Sequence, residues 1–546
     1  HSSTLLPRIS HIFEHFLKIH YHIFRMRFLP ILLLIPCTIS LNIVMYVMVA
    51  GKSHAQFAEK LIALLNENGH SVDVIMGMIN SRVTLKGNYG ARRMVQVEFP
   101  GERHWGNVAS HLQDPFAELS DWNRLKIQPD KFIDTAEEFC DAILDSREVA
   151  DLLSSNKYDL GLINAYDLCP FALAHQYKIS PVVSYVPTPV YPTQYYYAGL
   201  PELPLYEDVL FLASHQDRSS FSRRVLETIR TLKERYIHIT AHTAITTKFR
   251  ARFGEDFPDV REIAMKTSLD FSNSHPLLEE PRSISLRLRY IGGIGLPAPK
   301  PLCKELDKML NLAPKGNVLF SLGTQIVPEK ISEDLKRVFV NTFKRFPDFN
   351  FLWKFDGKTA INASNIFNLD WLPQTDLLND SRVVAFISHM GLNSFTETSY
   401  AGVPVVAIPL FADQVHNARR AKALGIGEIV KNYEITVDNL YAALEKVLYD
   451  ERYRNRAKEI AQMIAAQPDK PQRVFLEGID FAAKFENLSS HYRLDGANYH
   501  HLVQIGWDVA AFFILVFVVL IVLAIKLAFV LLRLLLGSIQ LKYKVE

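Results

Sequence analysis

Val383-Val-Ala-Phe-Ile-Ser-His-Met-Gly-Leu-Asn-Ser394 starts as an apolar run and ends in polar residues. Val383 to Ser388 reads as a strand buried on both faces, because nothing polar alternates along it. From Phe395 onward the spacing becomes helical, and Asn393-Ser394 suit a helix start, where a short polar side chain can accept from a free backbone N–H. A strand that turns through a glycine into a helix is half of a βαβ unit, and such units build parallel sheets. The pattern repeats outward: Asn317 to Ser321, Phe349 to Lys354 and Val403 to Ile408 read as further strands, with a helix from Glu329 to Phe346 closed by Pro347. A second set precedes it. Asn42 to Ala50 is a β-branched strand and Gly51-Lys-Ser-His54 a turn. Phe57, Leu61, Leu64 and Leu65 then recur at helical spacing up to Gly69, and Ser71 to Met76 is the next strand. Tyr158 to Ile163 and Pro181 to Tyr185 continue this set. The reading is α/β: two doubly wound, Rossmann-like domains facing a cleft, at 42–285 and 286–490. Ile291-Gly-Gly-Ile-Gly-Leu-Pro297 resembles a dinucleotide fingerprint only superficially, since Pro297 and Pro299 stand where a helix should start; it reads as the interdomain linker.

Composition narrows the function classes. The 546 residues carry 60 Lys and Arg against 58 Asp and Glu, a net charge of +2 with no basic block, which argues against a nucleic-acid partner. Four cysteines (Cys37, Cys140, Cys169 and Cys303) are too few for a disulfide scaffold and form no C-x-x-C pair, so no metal site is expected. Oligomeric state is not legible, and a homo-oligomer is compatible with everything above.

The two ends point to a membrane. Arg25 and Arg27 precede the apolar stretch Phe28 to Ile39, which has signal-peptide proportions; 26–41 is expected to be the signal, and 1–25 an extension ahead of Met26. Val509 to Leu532, interrupted only by Lys526, is long enough to cross a bilayer. Lys526, Arg533, Lys542 and Lys544 gather on its trailing side, so the tail 533–546 is expected in the cytosol and the body in a lumen. This describes a single-pass type I protein, for which the endoplasmic reticulum is the expected membrane. Cys140 and Cys169 can pair in that oxidising setting, though the sequence does not show it. Asn362-Ala-Ser364 and Asn487-Leu-Ser489 fit the glycosylation triplet.

The chemistry concentrates between Trp371 and Gln414. A helix N-terminus at the carboxyl end of a parallel strand attracts phosphate. Gly391 permits close backbone approach there, and His389 can donate to a diphosphate oxygen. Trp371 can stack on a base, and Gln374 can bond a base edge or ribose. Glu397, one turn into the helix, can accept from ribose hydroxyls. Asp413 and Gln414 follow another strand end, where sugar hydroxyls would lie. Read singly, each is more simply a core or capping residue; as a set they describe a nucleotide-sugar site.

With His389, Gly391, Asn393, Ser394, Glu397, Asp413 and Gln414 at these spacings, the block resembles the signature of UDP-glycosyltransferases, including the UDP-glucuronosyltransferases. The resemblance extends to Gly51–His70, the Ser321-Leu-Gly-Thr324 turn and the late anchor. It implies a GT-B type fold, a UDP-sugar donor on the C-terminal domain, a small lipophilic acceptor on the N-terminal one, no cofactor, and inverting transfer of a glucosyl or glucuronosyl group. His54 matches the family's base histidine, and a His is suited to that task near neutral pH. Two positions depart from the family. Asn164 stands where the resemblance places a carboxylate that orients the base, and Asp167, three residues on, is the candidate substitute. Asn273 stands where the glucuronosyltransferases carry an Arg, which leaves a neutral sugar open, with His275 or Arg282 as possible replacements for the charge.

Overall fold

The computed structural model describes residues 40–79, 83, 87–99, 115–116, 130–190, 192–200, 221–323, 326, 331–355, 363–494, 496–504 and 506–543. Residues 1–39, which hold the expected extension and most of the expected signal, and Thr324 and Asn362 lie outside them.

The first sheet is built from β1 (Asn42–Val49), β2 (Ser71–Met78), β3 (Arg93–Glu98), β4 (Leu160–Asn164), β5 (Val182–Val186), β6 (Asp270–Ser272) and β7 (Leu288–Tyr290). Its order is β3-β2-β1-β4-β5-β6-β7, and every pairing is parallel. Helices α1 (Lys52–Glu67), α2 (Asp130–Asp145), α3 (Cys169–Gln176), α4 (Pro192–Ala198), α5 (Phe221–Phe253) and α6 (Val260–Ala264) accompany it. The alternation of β1 shows how the two faces are filled. Ile43, Met45, Val47 and Val49 pack with Ala55, Phe57, Ala58 and Leu61 of α1. Val44, Tyr46 and Met48 point to the other face, against Phe139, Cys140, Cys169 and Phe171.

Cys140 and Cys169 form a disulfide that ties α2 to the start of α3. Removing it with Cys140→Ser and Cys169→Ser is expected to cost roughly 3 kcal/mol, since the bond closes a loop with a sequence separation of 29. The measurement is denaturant unfolding of the first domain, with and without reductant. An unchanged midpoint would contradict the expectation.

The second sheet holds β8 (Gly316–Ser321), β9 (Phe349–Lys354), β10 (Ile366–Leu369), β11 (Val383–Ser388), β12 (Val405–Ala407) and β13 (Gly427–Ile429). It is also all parallel, in the order β10-β9-β8-β11-β12-β13. Its helices include α7 (Glu333–Phe343), α8 (Gln374–Leu378), α9 (Leu392–Ala401) and α10 (Gln414–Ala423). An aromatic core of Phe320, Phe339, Phe343, Phe351 and Trp353 fixes β8 and β9 against α7.

The two-domain division differs in detail from the reading at 285. β7 is hydrogen-bonded into the first sheet, so the sheets divide after Tyr290. Helix α11 (Pro471–Lys484) also returns to the first domain, where Phe475, Ile479 and Ala482 join its core and Phe475 meets Phe271 edge-on at 5.1 Å. The apolar stripe of α11 fits either domain, and only the three-dimensional packing selects one. After a short helix α12 (His501–Gln504) comes α13 (Trp507–Tyr543), of which Trp507–Leu536 has mean hydropathy 3.3 and is exposed; it is long and apolar enough to cross a membrane.

Both sheets reverse strand order at one point: between β1 and β4 in the first, between β8 and β11 in the second. Open α/β sheets bind ligands outside the carboxyl ends of their strands at such switch points. The residues after these four strands are 50–54, 165–169, 322–323 and 389–391.

Candidate functional site

In the second domain, β11 ends at Ser388, whose Oγ accepts from Met390 N at 3.0 Å. Met390 takes a left-handed φ of 62°, and Asn417 Nδ2 holds its carbonyl at 2.9 Å. This sharp turn brings Gly391 to the N-cap of α9, where no side chain caps the helix. The cap expected from Asn393 and Ser394 is therefore corrected. Both lie inside the first turn, and Ser394 Oγ instead accepts from Gln374 Nε2 at 3.1 Å. Of the first-turn N–H groups, that of Leu392 is met by the Asp413 carboxylate; a helix start of this kind attracts an anion.

His389 fills the floor of this turn. A Cβ added at Gly323 or at Gly391 would come within 2.6 or 2.7 Å of its Nε2, so the two glycines leave the imidazole between two backbone stretches. Gly323 also has φ +84°, and its N–H donates to Ser321 Oγ at 3.3 Å. Burial pushes His389 down to about 4; the Ser321 backbone opposes the shift and Lys354 adds to it. Its Nδ1 is sealed and has no hydrogen-bond partner among the described residues. The geometry is a cradle of backbone and neutral imidazole that a phosphate fits.

Beside the cradle, Gln374 Nε2 also donates to Glu397, and Thr375 Oγ1 donates to the other carboxylate oxygen at 3.2 Å. Burial raises the Glu397 carboxyl, with these bonds opposing it. Trp371 is 63% exposed and has two ammonium groups near its ring: Lys354 Nζ at 5.3 Å and Lys52 Nζ at 5.6 Å from its centre. A flat aromatic held open in this way can take a base. Asp413 is the N-cap residue of α10, but its Oδ2 accepts from Asn417 Nδ2 at 2.8 Å, and burial raises its carboxyl. Gln414 Oε1 accepts from Leu410 N and Phe411 N, at 2.9 and 3.2 Å, so this oxygen shapes the loop.

In the first domain, Gly51 is the uncapped N-cap of α1, and His54 lies on its first turn. His54 Nδ1 is sealed without a hydrogen-bond partner among the described residues, and its ring lies 5.6 Å from that of Tyr166. Burial pushes His54 down to about 4, against a pull upward from the Met48 backbone. Tyr166 donates to Thr188 Oγ1 at 2.8 Å, and the Asp413 charge is felt by its hydroxyl. Lys52 over Trp371, and Tyr166 between His54 and Asp413, place the two switch points across one cleft.

The structure does not bring Asp167 to His54. Asp167 Oδ2 accepts from Tyr46 Oη at 3.1 Å and Oδ1 from Cys169 N at 3.0 Å. Tyr46 faces away from α1, on the opposite side of the first sheet. Three residues beyond β4 the chain has turned under that face, and burial there raises Asp167 to about 6. Asn164 is also buried, its Oδ1 accepting from Tyr166 N at 3.0 Å. It thereby holds the turn carrying the ring that meets His54. Tyr166, Lys52 and Lys354 were missed in the sequence; Lys52, two residues before His54 in a first turn without acids, carried the only legible signal.

Three residues bear on the charge of a donor sugar. Asn273 Nδ2 donates to Pro187 O at 3.2 Å, His275 Nδ1 accepts from Leu277 N at 3.2 Å, and Arg282 pairs with Glu279 at 3.0 Å. Each is engaged outside the cradle. Asn487 is exposed at the N-cap of a short helix.

Comparison with known proteins bears on the family and the fold. Residues 43–540 match the family described as "UDP-glucoronosyl and UDP-glucosyl transferase". The chain is similar to "Putative UDP-glucuronosyltransferase ugt-50" of Caenorhabditis elegans, 27% identical over 84% of this chain and 88% of that one. It is 28% identical to human 2-hydroxyacylsphingosine 1-beta-galactosyltransferase, over 81% of this chain and 80% of that one. Among solved structures, the glycotransferase of kitacinnamycin superposes with a TM-score of 0.56 at 17% identity, covering 81% of this chain and 99% of that one. That likeness is one of fold, the two-sheet GT-B arrangement.

Proposed function

The chain belongs to the UDP-glucoronosyl and UDP-glucosyl transferase family, whose activity is sugar transfer from a UDP-sugar, and we propose that it moves a hexosyl group, glucosyl or glucuronosyl, onto a hydroxyl of small lipophilic acceptors, as in detoxifying conjugation. The observation that carries this reading is the glycine-walled His389 cradle at the N-terminus of α9.

His54 takes the acceptor proton while the acceptor oxygen bonds to the anomeric carbon. The bond from that carbon to the β-phosphate oxygen breaks on the opposite side, and the electron pair leaves with UDP, so configuration inverts. The α9 N-terminus and His389 meet the leaving charge. Trp371 stacks on uracil; Gln374 and Glu397 hold uracil edge and ribose; Ser321 borders the phosphates; Asp413 and Gln414 face the sugar. No cofactor enters this scheme. The engagement of Asn273, His275 and Arg282 elsewhere favours a neutral hexose, because a glucuronate carboxylate would find none of them open. The Cys140–Cys169 disulfide and the exposed Asn487 favour a lumenal body, which with α13 gives a type I protein of the endoplasmic reticulum.

The test is turnover by detergent-solubilised protein with UDP-glucose, UDP-galactose and UDP-glucuronate over phenols and sterols. Glucosyl transfer is the expected result; no transfer from any donor, with UDP still bound, would support a binding protein, the reading that neutral Asn164 favours. Trp371→Ala is expected to weaken UDP roughly 5- to 150-fold, as loss of one base stack costs about 1–3 kcal/mol. Calorimetric titration with UDP reads this, and unchanged affinity would remove Trp371 from the site.

A further inference from the structure

An imidazole that takes a proton on one ring nitrogen carries its N–H on the other, and an acceptor there normally fixes both tautomer and ring orientation. His54 has no such acceptor. Its Nδ1 is sealed and meets no hydrogen-bond partner among the described residues. The Met48 carbonyl pulls the protonation of the ring upward without closing a bond to Nδ1. Asp167 is spent on Tyr46 and Cys169, on the other face of the sheet. Asn164 is spent as well. Its Oδ1 accepts from Tyr166 N at 3.0 Å, and its side chain bonds the Tyr185 hydroxyl, which donates to Tyr46 O at 3.1 Å.

What meets the imidazole instead is the Tyr166 ring. The two centroids are 5.6 Å apart and the planes are tilted by 46°, inside the range of about 4.5–7 Å over which ring pairs attract. That ring is fixed at both ends. At its backbone, Asn164 holds the Tyr166 N–H, and Ala165 N donates to Tyr185 O at 2.9 Å, so the turn after β4 is tied to β5. At its tip, the hydroxyl donates to Thr188 Oγ1 at 2.8 Å. The loop carrying Thr188 is pinned in turn to the end of β6: Ser272 Oγ donates to Thr188 O at 3.1 Å and Asn273 Nδ2 to Pro187 O at 3.2 Å. A phenol anchored at two points restricts where the His54 side chain can swing. The titratable groups felt at this ring are Asp413 of α10, which acts on the Tyr166 hydroxyl, and Tyr185 of β5. Burial is the largest influence on His54 itself.

We propose that Tyr166 is the positioning residue of His54: its ring, anchored by Asn164 and Thr188, orients the imidazole by packing where an ion pair would otherwise do so. Tyr166 takes no proton and acts only through His54. Asn164 then serves as the anchor of the turn, and its neutrality does not mark a dead site. This rests on reading His54 as the base.

The test compares Tyr166→Leu, which keeps bulk without a ring, with Tyr166→Phe, which keeps the ring without the Thr188 bond, and with His54→Ala. Each is assayed as the detergent-solubilised full chain with the UDP-sugar that the wild type turns over, and calorimetric titration with UDP confirms that each is folded. Tyr166→Leu is expected to lower kcat by roughly 10- to 100-fold, the cost of misplacing a reacting group, with KM for the acceptor and UDP affinity within about twofold. Its acid limb should rise toward the ordinary histidine value near 6.5, as water reaches the imidazole. Tyr166→Phe should restore kcat to within about threefold of the wild type and keep the low limb. A Tyr166→Phe as slow as Tyr166→Leu would overturn the proposal, since the hydroxyl and not the ring would matter. So would a Tyr166→Leu that raises KM for the acceptor at unchanged kcat, which would make Tyr166 a wall of the acceptor site, or one with wild-type kcat and limb. If His54→Ala keeps full activity, or the wild type transfers no sugar, the base reading fails and the proposal with it; if His54→Ala is inactive and Tyr166→Leu is not, only the proposal fails.

Discussion

Replacing His54 with alanine is expected to lower turnover by roughly 10²–10⁴-fold, the usual contribution of a positioned general base, while UDP affinity stays within about twofold. The separation follows from the architecture. His54 belongs to α1 of the first domain, whereas the cradle, Trp371 and Gln374 belong to the second. The pH profile gives a second readout. Burial holds the imidazole down to about 4, below its ordinary value near 6.5. A group depressed in the free enzyme stays neutral, and able to take a proton, until pH falls through its lowered value. The acid limb of kcat/KM is therefore expected near pH 4. A limb at 6.5 would mean that His54 is solvated in the working enzyme; His54→Ala with full activity would remove it as the base. Asp167→Asn is expected to leave this limb in place, since its carboxylate serves Tyr46 and Cys169.

How much of this could be read from the chain follows from what kind of interaction places each residue. The β11 strand, the turn at His389–Gly391 and α9 are local, and apolar period plus one glycine reveal them. The same holds for β1 and α1, and hence for His54. Asp167 is not legible as a residue away from His54, because three residues after a strand the chain can go to either face of the sheet. The choice was made by Tyr46 and by the disulfide partner Cys140, 121 and 29 residues distant from Asp167 and Cys169 respectively. The short strands β6, β7 and β13 have three residues each, too few for a period to show. The cap was misassigned for a similar reason: Ser394 suits a helix start in isolation, but Gln374, twenty residues earlier, competes for its hydroxyl. Lys52 and Lys354 become legible only once the cleft brings both near the ring of Trp371.

The two domains are joined by a second kind of contact that no motif announces, and its loss is expected to be costly. Glu279, in the segment between β6 and β7, and His416 on α10 are each 2% accessible at the side chain and meet at 3.0 Å. Arg282 donates to the same carboxylate oxygen at 3.0 Å, and its side chain is 4% accessible. Val190 N reaches the other oxygen at 3.4 Å. Burial alone would raise the Glu279 carboxyl; the His416 bond and the Arg282 charge overcome it and hold it at about 2. Removing one member of such a cluster strands the others. Glu279→Ala leaves the Arg282 cation buried without its carboxylate, a loss of about 3–5 kcal/mol and a fall in Tm on the order of 10 °C. Glu279→Gln keeps an oxygen for His416 and is expected to cost less. The sign with pH is set by the depressed value: the stabilisation is complete above the unfolded value near 4.5 and is lost as pH falls toward 2. The wild type should therefore lose more stability between pH 5 and 2 than Glu279→Gln does. The same cluster reaches the donor site, because α10 also carries Asn417, whose amide holds Met390 O and Asp413 at 2.9 and 2.8 Å. Loosening α10 should raise KM for the UDP-sugar more than it lowers kcat. Equal melting of Glu279→Ala and wild type, with KM unchanged, would show that the cluster neither joins the domains nor shapes the donor loop.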